Sequence, residues 1–143
     1  MNIGDKIPEI LGTDQNGNEI KASDFKGKKV IMFCYPKANT PGCTAEACSL
    51  QQHKDEIAKK GYSIIGVSKD KQSAQLKFAE NHHLEFPLIA DTETTLLQTL
   101  GCWGEKVFCG KKTIGTLRTT YLINEEGVIE QIMGPKEIKT KIH

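Results

Sequence analysis

The sequence predicts an α/β protein in which helices pack on both sides of a mixed β-sheet. Short apolar runs at 28–36 and 62–68 are separated by a stretch with helical periodicity, and two later runs, 116–124 and 128–133, are joined by a turn. A strand–helix–strand unit normally makes parallel strands, whereas strands joined by a tight turn are antiparallel. The sheet is therefore expected to contain both kinds of pairing.

The chain is expected to begin with a β-hairpin. Residues 10–14 and 19–22 flank a QNGN turn, in which Asn16-Gly17 favours the positive φ angles of a tight turn. The run KKVIMFCYP at 28–36 is continuous, apolar and ended by a proline. That pattern is typical of a strand buried on both faces.

A helix is predicted over residues 44–60, ended by Gly61. Its apolar face is formed by four residues, Ala47, Leu50, Ile57 and Ala58. The run YSIIGVS at 62–68 predicts a second buried strand. Further helices are expected at 71–82 and 92–100, a short strand at 86–90, and a final hairpin from 116–124 and 128–133 with a glycine in its turn.

Length and charge limit the function. A chain of 143 residues fits one domain, and 19 basic residues against 18 acidic ones give a net charge of +1. Such a chain has no strong electrostatic field that would attract a polyanion. We therefore expect neither nucleic acid nor a membrane as a partner. The N-terminal residues lack the basic and apolar segments of a secretion signal. We therefore predict a cytoplasmic protein with thiols that start reduced.

Two of the five cysteines stand close together in the stretch TPGCTAEAC. On an ideal helix, positions five apart are separated by about 8.7 Å between Cα atoms, whereas a disulfide needs its Cα atoms within about 7 Å. Cys43 and Cys48 therefore cannot bond across an intact helix. The spacing predicts either a redox switch that unwinds the helix or no bond at all.

Cys43 is expected at the N-terminus of the predicted helix, where free N–H groups and the helix dipole stabilise a thiolate. A packing role in a tight turn is the alternative. Arg118 interrupts an apolar strand, so it either points to solvent from an edge or lies beside something anionic. Thr40 could serve simply as a turn or capping hydroxyl.

Pro36, Thr40 and Cys43 together form the pattern PxxxTxxC, followed later by an arginine in a strand. This pattern resembles the active-site signature of the peroxiredoxins, and in particular of the peroxiredoxin Q group, also called bacterioferritin comigratory proteins. The resemblance extends over nearly the whole chain, from GDKIPEI through DFKGKKVIMFCYPKANTPGCTAEAC, GVSKDK and WGEK to LRTTYLINEEGVI.

The resemblance implies a thioredoxin-like fold and a peroxidase that reduces hydrogen peroxide and organic hydroperoxides without a metal or cofactor. Cys43 matches the peroxidatic cysteine and Cys48 the resolving cysteine of members that keep both in one helix. Thr40 and Arg118 match residues that orient the peroxide and hold the thiolate, and Pro36 matches a proline that shields the pocket. The implied reductant is thioredoxin or a similar dithiol, and the protein is expected to be a monomer.

Three cysteines remain outside this pattern. Cys34 is predicted to be a core thiol rather than a third redox partner. Cys102 and Cys109 bracket WGEKVF on an expected loop, where packing or incidental exposure is favoured over oxidation or a mutual disulfide. No histidine stands at a metal-ligand spacing from a cysteine pair, so no metal site is expected. Residues 136–143 begin like a helix and then stop, so we expect the C-terminal helix of the family to be short or truncated.

Two other functions are alternatives to the peroxidase. A general thiol–disulfide exchange module of the thioredoxin type is disfavoured because the sequence has no CxxC. A non-enzymatic redox sensor on the same fold stays open, since fold alone does not determine function.

Overall fold

The computed structural model describes residues 2–35, 41–108, 110–116 and 119–133. Pro36, Thr40, Cys109 and Arg118, together with the predicted helical start at 136–143, lie outside the described residues. The strands are β1 (Ile10–Thr13), β2 (Glu19–Lys21), β3 (Lys29–Cys34), β4 (Tyr62–Ser68), β5 (Leu88–Ala90), β6 (Trp103–Phe108), β7 (Lys111–Thr116), β8 (Thr119–Ile123) and β9 (Ile129–Met133). The helices are α1 (Pro41–Gln52), α2 (Lys54–Lys59), α3 (Gln72–His82) and α4 (Thr95–Leu100), with a 3-10 turn at Ala22–Phe25.

The predicted mixed sheet is confirmed. Five strands pair in the order β5-β4-β3-β8-β9. Strands β3, β4 and β5 are parallel, whereas β8 is antiparallel to β3 and β9 is antiparallel to β8. The N-terminal hairpin is also confirmed, because β1 and β2 form a separate antiparallel pair and Gly17 in its turn has a φ of +85°.

The residues of β3 alternate between two hydrophobic clusters, one on each face of the sheet. Phe33 and Tyr35 pack with buried residues of α1, α2 and α3. Met32 and Cys34 pack instead with the leucines of α4 and with the N-terminal hairpin. Because β3 is covered on both faces, its residues from Val30 to Cys34 are all apolar and buried.

The helix predicted over 44–60 differs in three respects. It begins at Pro41, where a proline is well tolerated because the first N–H groups of a helix have no internal acceptor. It is interrupted at His53, which separates α1 from α2. Ala47, Leu50 and Ile57 are buried as predicted, but Ala58 is exposed because the break changes the helical phase.

The segment around Cys102 and Cys109 was predicted to be a loop, and that prediction is wrong. Trp103–Phe108 is β6, which pairs antiparallel with β7 in a two-stranded sheet. Thr116, which the sequence assigned to the later strand, is the last residue of β7, and β8 begins only at Thr119. Cys102 has no exposed surface.

Helix α4 begins three residues later than predicted, after Thr94 adopts a left-handed φ of 60°. Both carboxylate oxygens of Asp91 accept hydrogen bonds from its first turn, one from the N–H of Leu96 and the other from that of Leu97. A carboxylate at this position satisfies amides that the helix leaves unpaired. Within the described part of the chain, no helix is long and apolar enough to cross a membrane.

Candidate active site

The candidate active site lies where β3 ends and α1 begins. Tyr35, the last described residue before the gap, is fully buried, and its N–H donates to the carbonyl of Val67 on β4. The next described residue, Pro41, starts α1. The sheet therefore holds the residue directly before the segment that contains Pro36 and Thr40, and α1 begins directly after that segment.

The structure places Cys43 and Cys48 on one unbroken helix. Cys43 is the third residue of α1, because the helix begins three residues earlier than predicted, and its own N–H is among those that have no acceptor within the helix. Cys48 is a reduced thiol in the middle of α1 and is half-buried. At five positions apart on an intact helix, the two Cα atoms are too far apart for a disulfide.

The middle of α1 is anchored more firmly than its start. Ala47 and Leu50 are buried against the sheet, with exposed fractions of 0% and 1%. Thr44 is only half-buried and Ala45 is exposed. Opening the first turn of α1 would therefore disturb little apolar packing among the described side chains, whereas opening the turn around Leu50 would disturb the core.

Strand register brings the region of Arg118 to the same end of β3. Thr119, which follows Arg118 in the chain, is the Cα partner of Cys34 at the end of β3. Arg118 itself, like Pro36 and Thr40, lies outside the described residues. Two segments far apart in sequence are thus brought together by the antiparallel pairing of β3 with β8.

A buried polar network that the sequence did not predict lies under this edge of the sheet. The Tyr35 hydroxyl donates a hydrogen bond to Oε1 of Gln75 on α3. The Gln75 side-chain amide donates to Oγ of Ser68 and to the carbonyl of Ile89, each at 2.9 Å. Ser68 Oγ in turn donates to the Asp70 carboxylate at 2.7 Å. These bonds tie together the carboxyl ends of β3, β4 and β5.

A sequence signal for this network existed. Gln75 occupies a buried position of α3 beside Phe78 and Ala79 and has no exposed surface. A glutamine within the apolar stripe of a helix indicates a buried hydrogen-bond partner, because an unsatisfied buried amide is costly.

A cleft lined by described residues lies elsewhere. It has a volume of about 470 Å³ and is lined by Val30 at the start of β3, Ile123 at the end of β8, and residues of the N-terminal segment. Cys48 does not line it. Since α1 follows the opposite end of β3, this cleft is not the candidate active site. Among the described residues, no group of three or more His, Cys, Asp or Glu side chains is arranged to hold a metal ion.

Comparison with known proteins identifies the family. The model of the AhpC/TSA family matches residues 3–132. Peroxiredoxin Bcp of Escherichia coli K12 is 38% identical over 143 residues, which are 100% of this chain and 90% of that protein.

Solved structures agree with this relationship. The crystal structure of peroxidoxin BcpB from Mycobacterium tuberculosis superposes with a TM-score of 0.82 and 31% identity, covering 95% of this chain and 87% of that one. A mutant of peroxiredoxin Q from Xanthomonas campestris gives a TM-score of 0.80 and 30% identity, covering 85% of this chain and 77% of that one. These superpositions confirm the thioredoxin-like fold. The chain belongs to the AhpC/TSA family and, within it, to the peroxiredoxins of the Bcp and peroxiredoxin Q group, which are peroxidases.

Proposed function

We propose that Cys43 is the peroxidatic cysteine and Cys48 the resolving cysteine in the reduction of hydrogen peroxide and organic hydroperoxides. The main support is that one unbroken helix, α1, carries both residues five positions apart, with Cys43 in its first turn. This arrangement keeps the two thiols separate while peroxide reacts, and it requires a local opening before they can meet.

The helix start favours ionisation of Cys43. An ordinary cysteine has a pKa of about 8.5 and is only slightly ionised at neutral pH. The N–H groups and the dipole at a helix N-terminus lower that pKa. Arg118 adds a positive charge in the proposal. The resulting thiolate is the nucleophile that attacks the peroxide.

Three further residues complete the proposed site. Arg118 and backbone N–H groups stabilise the negative charge that develops on the leaving oxygen. Thr40 holds the peroxide in line with the Cys43 sulfur, and Pro36 shields the pocket from water. In the reaction, a sulfur–oxygen bond forms while the oxygen–oxygen bond breaks. Water or an alcohol leaves and Cys43 becomes a sulfenic acid.

Before Cys48 can react with the sulfenic acid of Cys43, the first turns of α1 have to unwind. The weak burial of Thr44 and Ala45, compared with Ala47 and Leu50, supports an opening that begins at the helix start. Cys48 attacks the sulfenic sulfur, water leaves, and the Cys43–Cys48 disulfide forms. We propose that thioredoxin, or a similar dithiol, reduces this disulfide by exchange. In this proposal residues 1–143 act as one domain, monomeric and in the cytoplasm.

The test compares wild type with Cys43→Ser and Cys48→Ser. Reduced protein is mixed with one equivalent of hydrogen peroxide in a stopped-flow instrument, Trp103 fluorescence is followed, and the products are mapped by mass spectrometry. Turnover is measured separately with thioredoxin, thioredoxin reductase and NADPH. Cys109→Ser is the matched control, because it removes a thiol outside the proposed mechanism.

The proposal predicts that Cys43→Ser abolishes rapid peroxide consumption, whereas Cys48→Ser keeps the first reaction and loses thioredoxin-coupled turnover. Wild-type product should contain the Cys43–Cys48 disulfide, and Cys109→Ser should behave as wild type. Undiminished turnover in Cys48→Ser would exclude Cys48 as the resolving residue. Rapid consumption by Cys43→Ser would exclude the assignment of Cys43.

A further inference from the structure

A second pair of cysteines lies in contact within the core. Sγ of Cys102 is 2.8 Å from Sγ of Cys34, and neither residue has any exposed surface. Cys34 is the last residue of β3, whereas Cys102 follows the C-terminus of α4. The two residues are 68 positions apart in sequence, so only the tertiary structure brings their sulfurs together.

This pair is separated from the proposed catalytic cysteines by the sheet. Cys34 and Cys102 belong to the cluster formed with the leucines of α4. Ala47 and Leu50 of α1 belong to the cluster on the other face, with Phe33 and Tyr35. Because neighbouring residues of a strand point to opposite faces, Cys34 faces away from α1. Direct exchange between Cys34 and Cys48 would have to cross the sheet.

The two sulfurs already lie close to bonding distance. A disulfide has an S–S distance of about 2.05 Å, so the sulfurs need to approach by only about 0.8 Å. Cys34 is held between β4 and β8 through its pairing with Val67 and Thr119. The N–H of Cys102 donates to the carbonyl of Leu97 at 3.0 Å. Bond formation therefore needs only a short further approach of the two sulfurs.

We propose that hydroperoxide converts Cys34 and Cys102 into a second intramolecular disulfide, a redox site distinct from Cys43 and Cys48. The Cys102 thiolate attacks a peroxide oxygen, so that an S–O bond forms, the O–O bond breaks, and an alcohol or water leaves with one proton. Cys34 then attacks the sulfenic sulfur, so that the S–S bond forms, the S–O bond breaks and water leaves. The two thiols supply the two electrons that reduce one hydroperoxide.

The environment of Cys102 supports its role as the attacking thiol. A hydrogen bond with Cys34, and a weaker one with Tyr121, lower the pKa of Cys102 even though burial opposes its ionisation. Access depends on local opening of α4, a helix of six residues bounded by left-handed residues at Thr94 and Gly101. Because Leu96, Leu97 and Leu100 of this helix are buried, such an opening disrupts core packing and is infrequent. Oxidation of this pair is therefore slower than the reaction of the active-site cysteine.

The disulfide would tie the end of β3 to the segment after α4. Closing so long a loop restricts the unfolded chain, and the oxidised protein should melt at a temperature roughly 5–10 °C higher than the reduced protein. Since the end of β3 leads into the proposed active site, this cross-link would hold the sheet together while the start of α1 unwinds.

The test uses the full chain with Cys43→Ser and Cys48→Ser, so that only Cys34, Cys102 and Cys109 remain. The protein is treated with hydrogen peroxide for increasing times, unfolded in an alkylating reagent, and digested for mass spectrometry. The expected product is a Cys34–Cys102 linked peptide that dithiothreitol reverses, together with the rise in melting temperature. The same background with Cys109→Ser should behave identically, and with Cys102→Ala should lose both effects.

The linked peptide is identified directly in the parent variant, so the result holds even if Cys102→Ala fails to fold. Full alkylation of Cys34 and Cys102 after prolonged peroxide treatment would overturn the proposal. A cross-link from either residue to Cys109 in place of the Cys34–Cys102 link would overturn it as well. Because Cys43 and Cys48 are absent from this background, neither outcome bears on the proposed catalytic cycle.

Discussion

The hydroxyl of Tyr35 donates a hydrogen bond to Oε1 of Gln75, and both residues are fully buried. Tyr35 directly precedes the segment that carries Pro36 and Thr40, whereas Gln75 lies on α3. Gln75 also binds Ser68 at the end of β4 and the carbonyl of Ile89 in β5. One glutamine therefore holds the ends of three adjacent strands below the candidate active site.

Gln75→Leu should destabilise the protein by about 2–4 kcal/mol, because it removes three buried hydrogen bonds at once. Tyr35→Phe removes one of them and should cost about 1 kcal/mol. Gln72→Leu, at an exposed position of the same helix, is the matched control and should change stability by less than about 0.5 kcal/mol. Urea unfolding measures all three. Equal stability of Gln75→Leu and wild type would contradict the role assigned to the network.

Gly66→Ala should destabilise the centre of the sheet by about 1–3 kcal/mol through overpacking. A Cβ atom at Gly66 would lie 2.7 Å from Cδ2 of Leu88 and 3.0 Å from Cζ of Phe33. Leu88→Val removes the nearer atom, so the double variant should lose less stability than the sum of the two single variants. The measurement is a double-mutant cycle by chemical denaturation. If the stability losses of the two single variants simply add in the double variant, the contact with Leu88 does not limit the size of the side chain at position 66.

Tyr121 should make the protein less stable at alkaline pH. Burial raises the pKa of Tyr121 above its ordinary value, and its hydroxyl donates to the carbonyl of Leu100 at 2.9 Å. A raised pKa in the folded state means that the stabilisation is complete below the unfolded pKa, about 10, and is lost as pH rises beyond it.

To check this, the free energy of unfolding of wild type and of Tyr121→Phe is measured at several pH values between about 8 and about 11. Wild type should lose stability more steeply over this interval, and tyrosinate absorbance from Tyr121 should appear only as the protein unfolds. Parallel curves for the two proteins would contradict the raised pKa.

Lys54 on α2 should lower the pKa of Glu85. Its Nζ lies 3.0 Å from Oε2 of Glu85, and this hydrogen bond and charge hold the pKa of the carboxyl below its ordinary value. Carbon-detected NMR titration should show the pKa of Glu85 rising in Lys54→Met and unchanged in Lys59→Met, an exposed lysine of the same helix. An unchanged Glu85 pKa in Lys54→Met would refute the pairing.

The effect of this pair on stability follows from the direction of the shift. A depressed pKa in the folded state gives a stabilisation that is present above the unfolded pKa of Glu85 and lost as pH falls through the folded pKa. Both side chains are exposed enough for solvent to screen the interaction. The stability difference between wild type and Lys54→Met should therefore be small at neutral pH and disappear in acid.

Local patterns explain which elements could be predicted. The continuous apolar runs of β3 and β4, and the Asn16-Gly17 turn, depend on neighbours in sequence and were recognised correctly. The break at His53 was not predicted, because hydrophobic periodicity does not reveal the contact between Nδ1 of His53 and the carbonyl of Ser49. These two atoms are 2.9 Å apart and lie within one helical turn. The loop prediction for Trp103–Phe108 failed because this segment forms a strand through its pairing with β7. The contact of Cys102 with Cys34, far away in the chain, could not be predicted from local sequence.

The alternation of strands and helices and the five-residue spacing of Cys43 and Cys48 could be recognised in the local sequence, because both follow from the geometry of a short stretch of chain. The side of the sheet on which Cys34 and Cys102 lie could not be recognised in this way. Packing α1 on one face and α4 on the other left Cys48 half-buried with α1 and brought Cys34 and Cys102 into contact. Contacts of that kind depend on how distant segments meet across the sheet, which no local pattern specifies.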